Sequence, residues 1–455
     1  MSDSQDHPNH PDVDQSDRVL PRNLRQTGDP GIEMLVSTRV RKSPFFDKSF
    51  NEEGAWRCTV YNRIYHPRGL VEPEDGGAMA EYEALTEAVT LWDVAVERQI
   101  RVKGPDAEAL TDYVITRDAT EIDPMHGKYV ILCNEDGGIL NDPILLRISD
   151  DEFWFSISDS TLMQWIQGVN VGMDFDAEVD EIDVAPMQIQ GPLSEDVMID
   201  VAGESVSEIP YYGLMEAEIN GAEVLISQTG FSGEKGFEIY VRDASKNAER
   251  VWDPVLDSVK AHGGMQIAPG HHRRIAAGIL SWGQDMDHET SPFQVNLGYQ
   301  VPDEKPGDYI GKEELERQQS LINEGEYPFN LKLVGLKIAG EPIRDYAPDF
   351  WLISDPQTGN ECGYMTSPWW NPDLETNIGL GFVPAEKLQE ETDVRLNDEI
   401  YEDDLDLEFE VHLPDRYSEG DESVFATVAE VPFKESVNPS AREQAKLGAK
   451  QEASD

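Results

Sequence analysis

The spacing of apolar residues changes near Asn330, and this change limits the folds that the 455-residue chain can adopt. Before it, segments with helical spacing alternate with strand-like runs. After it, helical patterns fade, and short strand-like runs follow one another between Gly, Pro, Asn and Asp. Such a succession predicts an all-β unit, and its size suits a small barrel. We therefore expect a mixed α and β domain over residues 36–330 and a barrel domain over residues 331–434.

The mixed region contains several individual elements that can be predicted. Helical spacing predicts helices over residues 78–95, 244–262 and 271–283. Three apolar runs are typical of strands and cover residues 129–133, 143–148 and 153–157. The first two runs are joined by a segment with Gly137 and Gly138, which favours a hairpin turn.

The net charge is −54, from 90 acidic and 36 basic residues spread along the whole chain. Self-repulsion of this size destabilises a compact fold in dilute buffer. In molar salt the screening length falls to about 3 Å, so the pattern predicts a halophilic protein. Nucleic acid is excluded as a partner because its phosphates require a basic surface.

The two ends of the chain and its three cysteines indicate the cellular compartment in which the protein is expected to fold. Residues 1–35 and 435–455 are polar and predict disordered tails. The absence of a signal-peptide pattern and of an apolar run of about 20 residues predicts a cytoplasmic protein without membrane contact. Cys58, Cys133 and Cys362 lie far apart, which predicts neither disulfides nor a structural zinc site.

Five motifs, in order, resemble the aminomethyltransferase (glycine-cleavage T-protein) family. They are GGILNDPILL (137–146), TGFSGEKGFEIYV (229–241), RRIAAGILSWGQDM (273–286), DYIGKEEL (308–315) and GYMTSPWWNPDLETNIGLGFV (363–383). The resemblance implies an α+β fold with three lobes around a folate channel and a C-terminal β-barrel. It also implies tetrahydrofolate as the cofactor.

Within the family, further segments are most similar to the dimethylsulfoniopropionate demethylase branch. They are TVYNRIYHP (59–67), LWDVAVERQIRVKG (91–104), FWFSISDS (153–160) and SWGQDMDHETSPFQ (281–294). This likeness implies a methyltransferase that moves a methyl group from a small donor, such as a sulfonium, to tetrahydrofolate. In-line methyl transfer depends chiefly on positioning and on exclusion of water, so no metal is expected.

Two acidic residues carry the expected chemistry. Glu238 matches the family residue that binds the pterin, and a carboxylate can accept two parallel hydrogen bonds from its amino and N–H edge. The alternative is a solvated strand residue. Asp142 matches the catalytic aspartate beside the folate nitrogens, where it would stabilise positive charge in the transition state. The alternative is a turn residue before Pro143.

Aromatic residues are the remaining candidates. Trp154 and Phe231 fall at family positions that hold aromatics, and we expect them to bind the cofactor by stacking on the pterin. Tyr61 and Trp92 are candidates for the substrate side, because aromatic faces attract a sulfonium or ammonium. Tyr129 is a candidate for either side and is counted with the cofactor-binding residues. Ordinary core packing is the alternative for each.

Some positions depart from the glycine-cleavage pattern. Asn141 stands where an aspartate is usual, and Gly270 stands near the position of an arginine that helps to hold folate. These departures argue against the first alternative function, an aminomethyltransferase of the glycine cleavage system that accepts its substrate from a lipoyl carrier protein. A second alternative is a folate-binding protein without activity. His271 and His272 lack a third ligand and are expected to be ordinary polar residues.

Overall fold

The computed structural model describes residues 39–434 except 53, 270, 345–346, 348–349, 392–404 and 415–421. The predicted disordered tails, at 1–35 and 435–455, lie outside the described residues. So does Gly270, which stands near the position of the family's arginine.

Helices pack around the sheets of the described chain. They are α1 (Gly77–Glu87), α2 (Ala107–Val114), α3 (Leu162–Met173), α4 (Ser194–Ala202), α5 (Ala244–Ala261), α6 (His271–Ala276), α7 (Lys312–Glu324) and α8 (Ala385–Glu391). None of the helices in the described residues combines the length and apolar character that a membrane crossing requires.

The strands of the described residues before the barrel fall into two larger sheets and two hairpins. They are β1 (Arg57–Tyr61), β2 (Ile64–Gly69), β3 (Thr90–Asp93), β4 (Arg98–Lys103), β5 (His126–Tyr129), β6 (Leu132–Cys133), β7 (Ile139–Asn141), β8 (Ile144–Ser149), β9 (Glu152–Ile157), β10 (Glu178–Glu181), β11 (Val184–Gln190), β12 (Leu214–Ile219), β13 (Ala222–Ser227), β14 (Gly236–Arg242) and β15 (Met265–Gln266). One sheet has the order β12-β13-β14-β11-β3-β15 and the other β10-β4-β9-β8-β5. The hairpins are β1-β2 and β6-β7.

Side-chain alternation divides the six-stranded sheet into an apolar face and a polar face. Met187 and Ile239 point into a core that includes Val251 and Trp252 of α5. The neighbouring positions on the same strands point to the opposite face, which carries polar side chains into a cavity. The strands β11 and β14 thus contribute side chains both to the core and to the cavity wall.

The chain after Asn330 forms the expected closed barrel. Its strands are β16 (Leu331–Ile338), β17 (Trp351–Ser354), β18 (Glu361–Asn371), β19 (Thr376–Pro384), β20 (Glu408–His412) and β21 (Ser423–Ala429). They close in the order β16-β19-β18-β17-β20-β21. The predicted α+β class with a C-terminal β-barrel is therefore confirmed.

A buried ion pair ties the barrel to the rest of the protein. Arg274 of α6 donates to Asp285 at 2.7 Å, and both side chains are almost fully buried. The hydroxyls of Thr366 and Ser367 on β18 each donate to the other oxygen of Asp285 at 2.5 Å. A buried charge is stable only when it is paired and hydrogen-bonded, so this contact fixes the barrel against α6.

Two predicted helices are shorter than expected. The segment predicted as a helix over residues 78–95 leaves the helix at Glu87, and Thr90–Asp93 is a buried strand of the six-stranded sheet. Val89, Thr90 and Trp92 favour strands, and here pairing with β11 outweighs the helical spacing. The helix predicted over residues 271–283 ends at Ala276, and Gly278 follows with a positive φ of 70°.

Candidate active site

A cavity of about 230 Å³ lies where the two larger sheets, the β1-β2 hairpin and the end of the barrel meet. Strand faces of both sheets supply polar side chains to it, and residues 277–282 cover one side. Val431 and Pro432, which follow the last barrel strand, complete the wall. Both larger sheets, the β1-β2 hairpin and the barrel domain therefore all contribute to the cavity wall.

Glu238, on β14, lies on the cavity wall, and the part of the wall that it forms with Gln188 is called the Glu238 end. It is 3% exposed, and it lies opposite Gln188 of β11 in the strand register. The Gln188 amide donates to one carboxylate oxygen at 2.6 Å, and the Tyr240 hydroxyl donates to the other at 2.6 Å. Burial raises the pKa of Glu238, and the two hydrogen bonds oppose the rise.

This end also has an unused acceptor. The Gln188 Oε1 atom is buried and has no hydrogen-bond partner among the described residues. A carboxylate has about four acceptor positions, and Glu238 uses two of them within the protein. Glu238 and Gln188 together therefore suit a flat ligand edge with several N–H donors, and the amino-pyrimidine edge of a pterin is such an edge.

Asp142 also lies on the cavity wall, directly after β7, and is 9% exposed. The part of the wall that it forms with Tyr129 and Ser158 is called the Asp142 end. Ser158 donates its hydroxyl to one carboxylate oxygen at 2.6 Å, and Tyr129 donates to the other at 3.1 Å. Burial raises the pKa of Asp142 to about 7, although these hydrogen bonds lower it. Asp142 can therefore lose or gain a proton near neutral pH.

Asn141 holds the residues beside Asp142 in place. Its side-chain oxygen accepts from the Ser158 backbone N–H at 3.1 Å, and its amide donates to the Ser158 carbonyl at 3.2 Å. The same amide donates to the Ser160 hydroxyl at 3.0 Å. Because Ser158 is the partner of Asp142, the Asn141 amide fixes the direction of that hydrogen bond.

Glu97 is a third acid on the cavity wall. Burial is the main reason that its pKa lies well above the usual range, and the charges of Glu238 and Asp142 raise it further. Ser156 offers a hydroxyl at 3.3 Å. The raised pKa favours the protonated form of Glu97, because a third negative charge in this small buried space would be unfavourable.

Aromatic side chains form much of the remaining wall. Tyr61, Trp92, Tyr129 and Phe231 of the predicted set all line the cavity. The cavity also has four aromatic residues that the sequence did not single out: Tyr211, Tyr212, Trp282 and Tyr299. Flat faces on several sides suit a planar ring and also attract a cation.

Trp154 is placed apart from the cavity, against the predicted stacking role. It shares a face of β9 with Ser156, which does line the cavity. The indole instead packs with Leu146, Leu225 and Tyr240 in an apolar cluster. Its N–H donates to Glu152 at 2.9 Å, and this hydrogen bond holds the ring in the apolar cluster.

His272, one of the adjacent histidines, also packs as a structural residue. Its ring stacks on Trp369 with centroids 4.3 Å apart, and burial lowers its pKa to about 3. Within the described residues, no three His, Cys, Asp or Glu side chains are grouped so as to hold a metal ion.

The residues that sequence reasoning missed have different signals. Glu97 and Ser158 lie inside segments that resemble the demethylases, but neither is distinctive as a single residue. Gln188 lies in a strand-like run, and only the strand register brings it opposite Glu238. A polar residue inside an apolar strand is the signal that could have identified it.

Comparison with known proteins gives consistent relatives. The model of the GCVT N-terminal domain family matches residues 48–305. A dimethylsulfoniopropionate demethylase of Ruegeria pomeroyi is 31% identical over 359 residues, which cover 77% of this chain and 91% of the demethylase. An aminomethyltransferase of Clostridium botulinum is 30% identical over 315 residues, which cover 68% of this chain and 81% of that protein.

A solved structure gives the same picture at the level of the fold. The glycine cleavage system aminomethyltransferase T from Bartonella henselae matches with a TM-score of 0.70 and 21% identity. The match covers 87% of this chain and 99% of that chain. The demethylase and the aminomethyltransferase are nearly equal in identity, so the choice between their reactions depends on the site.

Proposed function

The chain belongs to the GCVT family of folate-dependent aminomethyltransferases, and we propose that it is a tetrahydrofolate-dependent methyltransferase that acts on a sulfonium such as dimethylsulfoniopropionate. The products are 5-methyltetrahydrofolate and a thioether whose sulfur is uncharged. One observation carries the proposal: a single cavity is lined by Glu238 and Gln188 and also by Asp142, with aromatic side chains around them.

The Glu238 end suits the pterin. Glu238 and the unpartnered Gln188 oxygen offer acceptors to its amino and N–H groups. A buried acceptor without a partner costs about 1–3 kcal/mol, which a ligand that donates to it recovers. Phe231 lines the same cavity and offers a face for stacking.

The Asp142 end suits the reacting atoms. Bound tetrahydrofolate would supply the nucleophile, the lone pair of N5, which takes the methyl carbon while the C–S electron pair leaves with the sulfur. Asp142 as a carboxylate stabilises the positive charge that moves to N5 and can accept the N5 proton after transfer. Its pKa of about 7 makes that proton easy to take up and to release.

The donor class is supported by aromatic side chains of the cavity wall. Tyr61 lies beside Asp142, and Trp92 lies opposite Gln188 in the strand register. Both line the cavity and offer aromatic faces to a cation. After methyl transfer the sulfonium sulfur is an uncharged thioether sulfur, so the leaving group needs no proton. The segments 59–67, 91–104 and 153–160, which resemble the demethylases, supply Tyr61, Trp92 and Ser158.

Product analysis tests the proposal. The purified protein is incubated with tetrahydrofolate and a panel of sulfonium, methylamine and methyl ether donors. We expect 5-methyltetrahydrofolate from the sulfonium. The formation of 5,10-methylenetetrahydrofolate and ammonia from an aminomethyl-loaded lipoyl carrier would instead identify a glycine-cleavage enzyme. A lack of product from every donor, with folate still bound, would identify a binding protein.

The salt in this assay follows from the charge of −54. We propose that the protein is adapted to a salty cytoplasm and requires molar KCl to fold, because only short screening lengths suppress its self-repulsion. Circular dichroism from about 0.1 to 3 M KCl, a range over which the screening length falls from about 10 Å to below 3 Å, is the measurement. Full folding and activity at the low end would contradict the adaptation.

A further inference from the structure

The β1-β2 hairpin presents one face to the cavity. Tyr61 pairs with Ile64 across the hairpin, and His66 and Arg68 follow at alternate positions on the same strand. Alternate residues of a strand point to the same side. Tyr61, His66 and Arg68 accordingly all line the cavity.

His66 has an unused polar atom at this wall. The side chain is 5% exposed, and its Nδ1 atom is buried without a hydrogen-bond partner among the described residues. Its ring centroid lies 6.0 Å from that of Tyr61. Burial, followed by the charge of Arg68, holds the pKa of His66 well below its usual value, so the ring is neutral at neutral pH. A neutral imidazole can donate one hydrogen bond to an anion.

Arg68 gives this wall a charge opposite to the rest of the cavity. The described wall also has the acids Glu97, Asp142, Glu234 and Glu238, and Arg68 is the one arginine or lysine among the described wall residues. An arginine carries five donors in a planar fork that matches a carboxylate. A positive charge in a cavity of acids is electrostatically suited to one anionic group of a ligand.

We propose that His66 and Arg68 form a subsite for a carboxylate carried by the methyl donor. The inference rests on the proposed methyl transfer and adds to it the residues that would select a sulfonium with a carboxylate over one without. Tyr61 lies between the two parts: it is close to His66 and also to Ser158 and Asp142, whose charge helps to raise the Tyr61 pKa. A donor with its cation against Tyr61 and its carboxylate at Arg68 would present its methyl group toward the Asp142 end.

The first test compares two donors in three variants. Dimethylsulfoniopropionate carries the carboxylate, and trimethylsulfonium lacks it. For Arg68→Gln we expect KM for the first donor to rise about 10- to 100-fold, as for the loss of a charged hydrogen bond, while kcat/KM for the second stays within about twofold. Arg68→Lys should recover part of the loss because it keeps the charge. His66→Phe should raise the same KM by a smaller factor.

The control is Arg101→Gln on β4. Arg101 pairs with Asp180 at 2.9 Å and does not line the cavity. This variant removes one arginine from an acidic protein without touching the wall, so both donors should react as in the unmodified protein. An equal loss for both donors in Arg68→Gln would overturn the subsite and make Arg68 a structural residue.

A binding measurement separates the subsite from the reaction. The ligand is 3-(methylthio)propionate, which has the carboxylate but no sulfonium and so cannot donate a methyl group. Calorimetric titration with it requires neither folate nor turnover. Weaker binding by about tenfold in Arg68→Gln supports the subsite, even if no donor reacts and the proposed function fails. Unchanged binding overturns it. A loss of tetrahydrofolate affinity instead would assign Arg68 to the glutamate tail of folate and overturn the donor assignment.

Discussion

Glu238 and Asp142 are both buried acids on one cavity, but the protein builds the two positions in different ways. Glu238 and its partners Gln188 and Tyr240 belong to adjacent strands of one sheet, so the register alone sets their geometry. Asp142 follows a short hairpin strand, and its partners come from the end of β5 and from the residue after β9. Continuous sheet suits recognition of a rigid ligand, whereas converging strand ends place a group where a reaction needs it.

The replacement Asp142→Asn should have the largest effect, because it removes charge from the reacting end. We expect turnover to fall by about 10²–10³ while tetrahydrofolate binds nearly as before. Steady-state kinetics with calorimetric titration is the measurement. Asp136→Asn, in the exposed turn of the same hairpin, is the matched control. Normal turnover in Asp142→Asn would make Asp142 a turn residue and remove the contrast between the two ends.

Glu238→Gln should act on binding rather than on turnover. The glutamine side chain has an NH₂ group in place of one carboxylate oxygen, so it offers one acceptor fewer to the N–H groups of the pterin. Tetrahydrofolate should therefore lose roughly 2–4 kcal/mol of binding free energy. The fold should be spared, because a Gln side chain can still bond to Gln188 and Tyr240. Glu216→Gln on β12, where Glu216 is exposed, is the control. Equal affinity in both variants would return Glu238 to an ordinary strand residue.

The pH dependence sharpens the comparison further. The ionised form of Asp142 is the active one in this mechanism, and its pKa is raised to about 7. We therefore expect kcat/KM to rise about tenfold from pH 6 to pH 8 and then to level, since kcat/KM reports the free enzyme. The residual activity of Asp142→Asn should lack this step. A rate that falls over the same range would assign Asp142 the role of a proton donor.

The smallest expected effect is a gain in stability from the same substitution. The folded pKa of Asp142 is above the ordinary value of 3.8, so its contribution to stability is full below that value and is lost as the pH rises through about 7. Asp142→Asn should therefore raise the free energy of unfolding by about 1–2 kcal/mol at pH 8 and by less at pH 5. Denaturant unfolding at the two pH values checks this. A loss of stability at pH 8 would mean that the carboxylate supports the fold.

The sequence predicted most of the large features and part of the cavity. The change of pattern near Asn330 predicted the barrel, because short runs between turn residues leave few other folds. Tyr61, Trp92, Tyr129, Phe231, Asp142 and Glu238 were named in advance and lie on one cavity. Their roles in binding and catalysis remain predictions.

The failures came from information that is not local in the chain. Trp154 and Ser156 share one face of β9, and only the packing of the two sheets decides which of them meets the cavity. Trp92 had helical spacing, but pairing of its segment with β11 made it a strand. Gln188, His66 and Glu97 became candidates only when the register and burial showed what lies opposite them.

Val431 and Pro432 line the cavity although they follow the barrel, and this restricts how such a protein can evolve. A Cβ added at Gly278 would lie 2.4 Å from the Val431 side chain, so the loop over the cavity and the chain leaving the barrel are fitted to each other. Recombination that exchanged the barrel for one from a distant relative would replace one partner of this fit and part of the cavity wall. The two domains are therefore expected to be inherited together, and a gene that lost the barrel would lose this part of the cavity wall as well.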